Sequence, residues 1–234
     1  MFFFNKILKE KDNYAQTSFS QSGEDLIVKF IFNNLGIKNP TYLDIGAHHP
    51  FYLSNTALFY MNGSTGINVE PDPDLFKAFL THRKKDININ IGIGDQKGVS
   101  DFYIISSPTL NTFSKEDAEN YTKEGNYNIT SVKKIPINSV TNIINEKNNG
   151  EFPQFLNVDA EGVDELIIKS INYTHNYPLV ICIETISFST SGKGVKNTSL
   201  INFISNNGYI VYADTNINTI FVREDIWKKS NDHR

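Results

Sequence analysis

Short apolar segments alternate with segments of helical periodicity along most of the chain. Apolar runs with the length and composition of buried strands cover residues 42–45, 66–69, 87–93, 155–158 and 179–183. Apolar residues at helical spacing lie between and around these runs, over residues 26–35, 75–80, 166–171 and 198–206. Gly36 and Gly208 follow two of the helical segments, as is typical where a helix ends. Residues 22–25 have the spacing of a capping box, which predicts the start of the first helix.

The alternation predicts an α/β domain whose strands form a mostly parallel sheet joined by crossover helices. Two segments rich in Tyr, Ile and Val, near residues 209–213 and 218–222, predict a hairpin close to the end of the chain. We therefore expect a single domain over residues 18–227, preceded by an N-terminal extension at 1–17 and followed by a tail at 228–234.

Residues 96–152 interrupt the alternation of strands and helices. Within them, residues 101–105 have the composition of an extra strand, whereas residues 106–134 are polar and only weakly periodic. We interpret 96–152 as an insertion that lies over the edge or the mouth of the sheet, where ligand-contacting loops tend to occur.

The composition excludes several classes of protein. The 234 residues include 22 Lys and Arg against 26 Asp and Glu, and the net charge of −4 argues against a nucleic-acid partner. No apolar stretch approaches the roughly 20 residues that span a bilayer, so we expect no stable membrane insertion. Cys182 is the single cysteine, which rules out an intrachain disulfide and favours a reducing compartment. We expect a cytoplasmic protein.

Acidic side chains follow nearly every predicted strand. They lie at or just after the carboxyl end of an apolar run, where the ends of parallel strands border one crevice that binds ligands. A single such acid is more often a solvated strand end or a helix cap, but together they predict a crevice lined with negative charge. These residues are Asp44, Glu70, Asp95, Asp159, Glu161 and Glu184.

The turn after the first strand disfavours a cofactor that carries phosphate groups. It reads Gly-Ala-His-His-Pro at residues 46–50, without the second and third glycines of a dinucleotide-binding turn. A nucleoside with a cationic centre suits the crevice better, because Glu70 can accept both ribose hydroxyls and Asp44 suits a sulfonium or ammonium group. These properties describe S-adenosylmethionine.

The sequence resembles the FkbM family of class I methyltransferases over about residues 18–224. The resemblance is carried by the order and spacing of several motifs, among them Tyr-Leu-Asp-Ile-Gly-Ala-His-His-Pro at 42–50, Gly-Ile-Asn-Val-Glu-Pro at 66–71 and Val-Asp-Ala-Glu-Gly-Val-Asp at 158–164. It implies a Rossmann-like fold with a seven-stranded, mostly parallel sheet, an antiparallel last strand and helices on both faces. It also implies O-methylation, often of sugars or polyketide-type hydroxyls.

The resemblance also implies roles for particular residues. Asp44 and Gly46 would lie at the methionine end of S-adenosylmethionine, Glu70 at the ribose and Asp95 near the adenine. Gln21, Asp159 and Glu161 would face the methionine or the acceptor. We also assign Asn55 to the cofactor site, with a local helix cap as the alternative role.

The chemistry requires that the acceptor hydroxyl lose a proton, and two arrangements are open. In the first, which we favour, a carboxylate or a histidine of the first turn takes the proton directly. Glu161 is the preferred base, with Asp159 and His49 as the other catalytic candidates. In the second, Asp159 and Glu184 hold a Mg²⁺ ion that lowers the pKa of the hydroxyl.

The sequence thus predicts an S-adenosylmethionine-dependent O-methyltransferase that acts on a hydroxyl of a carbohydrate or glycoconjugate. One alternative is an NAD(P)-dependent oxidoreductase or epimerase, which the missing glycines and the absence of a Tyr-x-x-x-Lys pair disfavour. The other is a catalytically silent protein that binds S-adenosylmethionine and serves glycan assembly. The expected partner is a small-molecule or glycan acceptor, and the pattern predicts no oligomeric state.

Overall fold

The structure is a computed structural model that describes residues 15–160, 162–187 and 194–231. Strands and helices alternate through the first and last thirds of the chain, as the apolar runs predict. The elements in chain order are α1 (Glu24–Asn34), β1 (Tyr42–Ile45), α2 (Ala57–Met61), β2 (Gly66–Val69), α3 (Pro73–His82), β3 (Ile87–Ile89), β4 (Gly92–Ile93), β5 (Gly98–Ile105), α4 (Lys115–Glu124), β6 (Ile129–Asn138), α5 (Val140–Lys147), β7 (Phe155–Val158), α6 (Asp164–Lys169), β8 (Val180–Glu184), α7 (Thr198–Asn206), β9 (Tyr209–Asp214), β10 (Asn218–Arg223) and α8 (Glu224–Asn231).

Seven strands form the main sheet in the order β3-β2-β1-β7-β8-β10-β9. Neighbouring strands from β3 to β8 are parallel, whereas β10 runs antiparallel to both β8 and β9. The predicted α/β class, the mostly parallel sheet and the antiparallel last strand are therefore confirmed. The chain moves outward from β1 to β3 and then returns to place β7 on the other side of β1, so the strand order reverses between β1 and β7.

Apolar side chains cover both faces of this sheet. Alternate residues of β1 point to opposite faces, so Leu43 and Ile45 join one buried cluster and Tyr42 joins the other. Cys182 on β8 is fully buried in the second cluster. The second face carries α1 and α2, and it is also the face on which Asp44 lies.

Strands β4, β5 and β6 form a separate three-stranded sheet in the order β4-β6-β5. The apolar run at 87–93, which predicts one strand, is divided between the two sheets. Asn90 lies at the division, and its side-chain amide donates hydrogen bonds to the carbonyl oxygens of Glu70 and Pro71. The second sheet spans residues 92–138, so it starts before the predicted insertion at 96–152 and ends earlier. Helix α5, which follows it, packs Val140 and neighbouring residues into the main core.

The segment before α1 differs from the predicted capping box. Helix α1 starts after Gly23, whose φ is 88°, and no side chain caps it. Asp25 instead accepts hydrogen bonds from the Ser18 hydroxyl at 2.6 Å, the Phe19 N–H at 2.7 Å and the Ser20 hydroxyl at 2.9 Å. The capping-box interpretation is wrong because the carboxylate holds the segment that precedes the helix.

Helix α8 crosses residue 228, the predicted start of the tail. Its Trp227 ring meets the Tyr212 ring of β9 edge-on, with 5.2 Å between the ring centroids. Across the described ranges, no helix is both long and apolar enough to span a membrane.

Candidate active site

A cavity of about 1120 Å³ opens at the carboxyl ends of the parallel strands. The point where the strand order reverses lies at its centre, which is where open α/β sheets bind ligands. The predicted acidic crevice is therefore present. The predicted residues that line it are Gln21, Asp44, Gly46, Asn55, Glu70, Asp159 and Glu184.

Two predicted residues do not line the cavity, and a third lies outside the described residues. Asp95 is exposed on the turn after β4 and does not line the cavity, whereas Ile91, Gly92 and Ile93 of the same segment do. His49 also lies outside the cavity wall. Glu161, the preferred base, lies outside the described residues.

Glu70 is a buried carboxylate held by the backbone at the end of β2. Its Oε2 accepts the His48 N–H at 2.7 Å, and its Oε1 accepts the Asp72 N–H at 2.7 Å. Removal from water raises the pKa of Glu70 to about 8, although these two hydrogen bonds oppose the rise. Each carboxylate oxygen has capacity for a further hydrogen bond, so Glu70 can accept two hydroxyl groups of a ligand.

Asp44 belongs to a buried hydrogen-bonded network below the cavity floor. Its Oδ2 accepts the Thr56 hydroxyl at 2.6 Å, and its Oδ1 accepts the Asn157 amide at 2.8 Å. The Asn157 Oδ1 accepts in turn the Asn55 amide at 2.8 Å. Burial raises the pKa of Asp44, and the hydrogen bonds from Thr56 and Asn157 lower it. Each oxygen of Asp44 thus accepts one hydrogen bond from a protein donor.

Thr56 connects Asp44 to a buried cation that sequence reasoning missed. The Thr56 Oγ1 accepts a hydrogen bond from Arg83 Nη2 at 3.1 Å, and Arg83 Nε donates to Asp86 Oδ2 at 2.8 Å. Both members of this ion pair are fully buried. The Tyr42 hydroxyl donates to Asp86 at 2.7 Å, and burial raises the pKa of Tyr42, so the phenol keeps its proton.

Gly46 is required by the contact between two strand ends. Its φ of 75° suits glycine, and a Cβ atom there would lie 1.8 Å from the carbonyl oxygen of Asp159. The expected clash of a side chain at this position is therefore with the neighbouring strand end, before any ligand is considered.

The two histidines of the first turn have different roles. His48 lines the cavity and holds a φ of 53°, while its N–H binds Glu70. The His49 Nδ1 accepts the Phe51 N–H at 3.1 Å and the Tyr52 N–H at 2.8 Å, so it stabilises the turn. Burial lowers the pKa of both imidazoles, which favours their neutral forms.

Carboxylates gather where β7 and β8 end. Asp159 and Glu184 both line the cavity. Burial raises the pKa of Asp159, and the nearby carboxyl groups of Asp164 and Asp44 raise it further, whereas a hydrogen bond with Glu184 lowers it. Within residues 15–160, 162–187 and 194–231, no group of three or more His, Cys, Asp or Glu side chains is arranged to hold a metal ion.

A wall of amides, hydroxyls and one amine continues the cavity beyond β8. Lys196 Nζ donates to Thr185 Oγ1 at 2.9 Å and to Asp214 Oδ1 at 2.8 Å, which leaves one N–H of the ammonium group. Sequence reasoning named one residue of this surface, Gln21, because the others belong to no recognised motif. We call this surface the polar wall; it comprises Gln21, Thr185, Ser187, Lys196, Asn216 and Asn218.

The second sheet closes the opposite side of the cavity. Asn111 lines the cavity, and its amide donates to Asp72 Oδ2 at 3.0 Å. Lys133 on β6 forms ion pairs with Asp72 at 3.5 Å and Asp74 at 3.0 Å. These contacts join the second sheet to the start of α3. Leu110 and Phe113, on the connection between β5 and α4, line the cavity on this side.

One family model and at least one solved structure are similar to this chain. A family model described as the methyltransferase FkbM domain matches residues 44–211, which is more than half of the chain. Comparison with the curated proteins gives no match. Among solved structures, the crystal structure of a precorrin-6y C5,15-methyltransferase from Geobacter metallireducens GS-15 is similar over 82% of this chain and 85% of that chain, with 11% sequence identity and a TM-score of 0.41.

Proposed function

The chain belongs to the FkbM methyltransferase family, and from this premise we propose that it methylates a hydroxyl group of a carbohydrate or glycoconjugate. Family membership makes it an S-adenosylmethionine-dependent methyltransferase and argues against the alternative of an NAD(P)-dependent oxidoreductase or epimerase. The methyl acceptor is the part of the proposal that rests on the cavity.

The cavity has the groups that S-adenosylmethionine needs. Glu70 offers two carboxylate oxygens for the ribose hydroxyls, and Ile91, Ile93 and Phe113 give an apolar surface beside it. Glu70 follows β2 and Glu184 ends β8, three strand spacings or about 14 Å apart along the sheet. An extended nucleoside with an amino-acid tail suits that span, with its adenosine at the β2 side.

The polar wall is the observation that carries the proposed acceptor. A sugar presents many hydroxyls, each of which both donates and accepts hydrogen bonds. The amides of Gln21, Asn216 and Asn218 and the hydroxyl of Ser187 are groups that can do the same. This surface lies beyond β8, away from Glu70, so a carbohydrate bound there would approach the carboxylates after β7 and β8.

The proposed chemistry is direct displacement with proton transfer to the protein. S-adenosylmethionine, when bound, supplies an electrophilic methyl group on its sulfonium sulfur. The polar wall holds the acceptor so that one hydroxyl oxygen faces that methyl group, and orientation of this kind supplies much of the rate. A carboxylate after β7 accepts the hydroxyl proton, and the candidates are Glu161 and Asp159.

Thermal stability with ligands tests the cofactor. We expect S-adenosylmethionine and S-adenosylhomocysteine to raise the melting temperature, because a ligand at 100 times its Kd adds about 2.7 kcal/mol of stability. NAD and NADP should leave it unchanged. A shift with NAD or NADP alone would contradict the proposal.

Release of S-adenosylhomocysteine tests the acceptor. The protein is incubated with S-adenosylmethionine and a panel of simple glycosides, oligosaccharides and non-sugar alcohols, with the Glu70→Gln variant as the control for background release. Turnover with a sugar hydroxyl supports the proposal. Turnover confined to non-sugar alcohols would overturn the carbohydrate assignment, and binding without turnover across the panel would favour the silent accessory protein.

A further inference from the structure

Asn55 lies at the end of a directed chain of hydrogen bonds that starts at Asp44. Asp44 on β1 and Asn157 on β7 are opposite each other in the sheet, and Asn55 precedes α2 above them. The Asn55 side chain is 8% exposed and lines the cavity. The chain of contacts therefore runs from a buried carboxylate to the cavity wall.

The carboxylate decides how both amides are oriented. Asp44 Oδ1 accepts a hydrogen bond from the NH₂ group of Asn157, and this leaves the Asn157 Oδ1 as an acceptor that faces Asn55. Asn55 must then turn its own NH₂ group toward that oxygen. The same group also approaches the Cys182 sulfur at 3.7 Å. The Asn55 carbonyl oxygen is what remains.

That oxygen is buried and has no hydrogen-bond partner among the described residues. An unpaired buried acceptor is costly and rare in folded proteins. Asn55 also lines the cavity, so a ligand bound there can supply the missing donor. The helix-cap alternative for Asn55 does not apply, because the Ala57 N–H at the start of α2 is accepted by Ser54 Oγ at 3.1 Å. Asn55 is therefore free of the local role that its sequence position suggested.

We propose that the Asn55 carbonyl oxygen accepts a hydrogen bond from the α-ammonium group of the methionine portion of S-adenosylmethionine. The inference rests on the proposed cofactor. A carbonyl oxygen can only accept a hydrogen bond, and the α-carboxylate of the ligand has no proton to donate, so the α-ammonium group is the part of the methionine portion that suits it. The chain of hydrogen bonds from Asp44 through Asn157 would then hold the Asn55 oxygen in position to bind the methionine portion of the cofactor.

The test compares three ligands that share the adenosine and a neutral sulfur. S-adenosylhomocysteine has the whole amino-acid tail, its decarboxylated amine has the ammonium group alone, and 5′-methylthioadenosine has neither. For Asn55→Ala we expect the Kd of the first two ligands to rise about 10- to 100-fold, as for loss of a hydrogen bond to a charged group. The Kd of 5′-methylthioadenosine should stay within about 2-fold, since it lacks the partner group.

Asn68→Ala is the matched control. Asn68 is 1% exposed and lies opposite Asp44 on β2, and its Oδ1 is likewise unpaired, but it does not line the cavity. We expect this variant to leave the ratio of the three affinities unchanged. Should Asn55→Ala fail to fold, Asn55→Ser removes the amide oxygen while its hydroxyl can still donate toward Asn157.

The outcomes separate the inference from the proposed function. A wild-type protein that binds neither S-adenosylmethionine nor S-adenosylhomocysteine would refute the proposed cofactor and the inference with it. A wild-type protein that binds them, with Asn55 variants that weaken all three ligands equally, would overturn the inference alone. If the Asn55 variants lose affinity for S-adenosylhomocysteine but not for the decarboxylated amine, Asn55 binds the α-carboxylate instead. That result would also overturn the inference.

Discussion

The side-chain amide of Asn157 donates a 2.8 Å hydrogen bond to Asp44 across the two strands at which the order of the sheet reverses. Asp44 is 2% exposed and Asn157 is 5% exposed, so water does not screen the contact. The crevice of an open α/β sheet forms at such a reversal. In this protein, a buried polar pair joins the two halves of the sheet directly beneath that crevice.

Asn157→Asp should destabilise the protein in a pH-dependent way. The substitution places two buried carboxylates in contact, and an uncompensated buried charge costs about 3 kcal/mol or more. Protonation of one carboxyl relieves the repulsion, so the loss measured by urea unfolding should be larger at pH 8 than at pH 5. Asn142→Asp, on an exposed face of α5, is the control. Equal losses for the two variants would contradict the prediction.

Above pH 8, where a Glu70 carboxyl with a pKa of about 8 is ionised, Glu70→Gln should weaken the binding of S-adenosylmethionine about 10- to 100-fold, because a neutral amide loses charge-assisted hydrogen bonds to the ribose. Titration calorimetry on the folded variant measures the change. Glu116→Gln, an exposed position on α4, serves as the control for a lost negative charge. Unchanged affinity in Glu70→Gln would remove Glu70 from the cofactor site.

Stability should also depend on pH through Glu70. Its pKa is about 8 in the folded protein against an ordinary value of 4.5, so the folded state holds this proton more tightly than the unfolded state. The contribution of Glu70 to the free energy of unfolding is fully present below pH 4.5 and decreases as the pH rises to 8. The total decrease is about 1.4 kcal/mol for each unit by which the pKa of the folded protein exceeds that of the unfolded chain. Urea unfolding of wild type and Glu70→Gln across this range should therefore give different pH slopes; parallel slopes would show that Glu70 is not perturbed.

Gly46→Ala should destabilise the fold far more than Gly36→Ala. Both glycines have positive φ, 75° and 73°, but a Cβ at Gly46 meets the Asp159 carbonyl oxygen whereas a Cβ at Gly36 meets nothing within 4 Å. Gly36→Ala should cost about 1 kcal/mol of backbone strain, and Gly46→Ala should also displace the end of β1 from β7. Thermal unfolding compares them. Similar melting temperatures would contradict the close approach of the two strand ends.

Removal of metal ions should leave methyl transfer unchanged. The metal-free base is the favoured arrangement, and Asp159 with Glu184 supplies two protein ligands. Turnover is measured with an acceptor identified in the glycoside and alcohol panel, first with and without EDTA and then after addition of Mg²⁺. Loss of turnover with EDTA and its recovery with Mg²⁺ would support the alternative arrangement instead.

Much of the fold could be predicted from the sequence, because the patterns that indicate strands and helices are local. A buried parallel strand needs a short apolar run, and residues 42–45, 66–69 and 155–158 supply one each. The acids Asp44 and Glu70 were readable for a related reason, since the carboxyl ends of parallel strands meet at one edge whatever the loops do. Asp95 does not line the cavity, because the apolar run at 87–93 is divided and its last part, β4, pairs in the second sheet.

The hydrogen-bond partners of the buried polar residues could not be predicted, because those partners lie far away in sequence. Asn55 contacts Asn157 across 102 positions, and Thr215 and Asn218 donate hydrogen bonds to Glu24 across more than 190. A local pattern treats such residues as turn or surface positions.

The sequence by itself thus determined the order of the strands and helices along the chain, the edge of the sheet at which the cavity opens and the acidic groups along it. Only the tertiary structure decided that Arg83 is buried beside Asp86, that His49 stabilises a turn and that the polar wall faces the cavity. The physical reason is that hydrophobic periodicity is a property of neighbouring residues. The environment of a polar side chain instead depends on which distant segment supplies its hydrogen-bond partner.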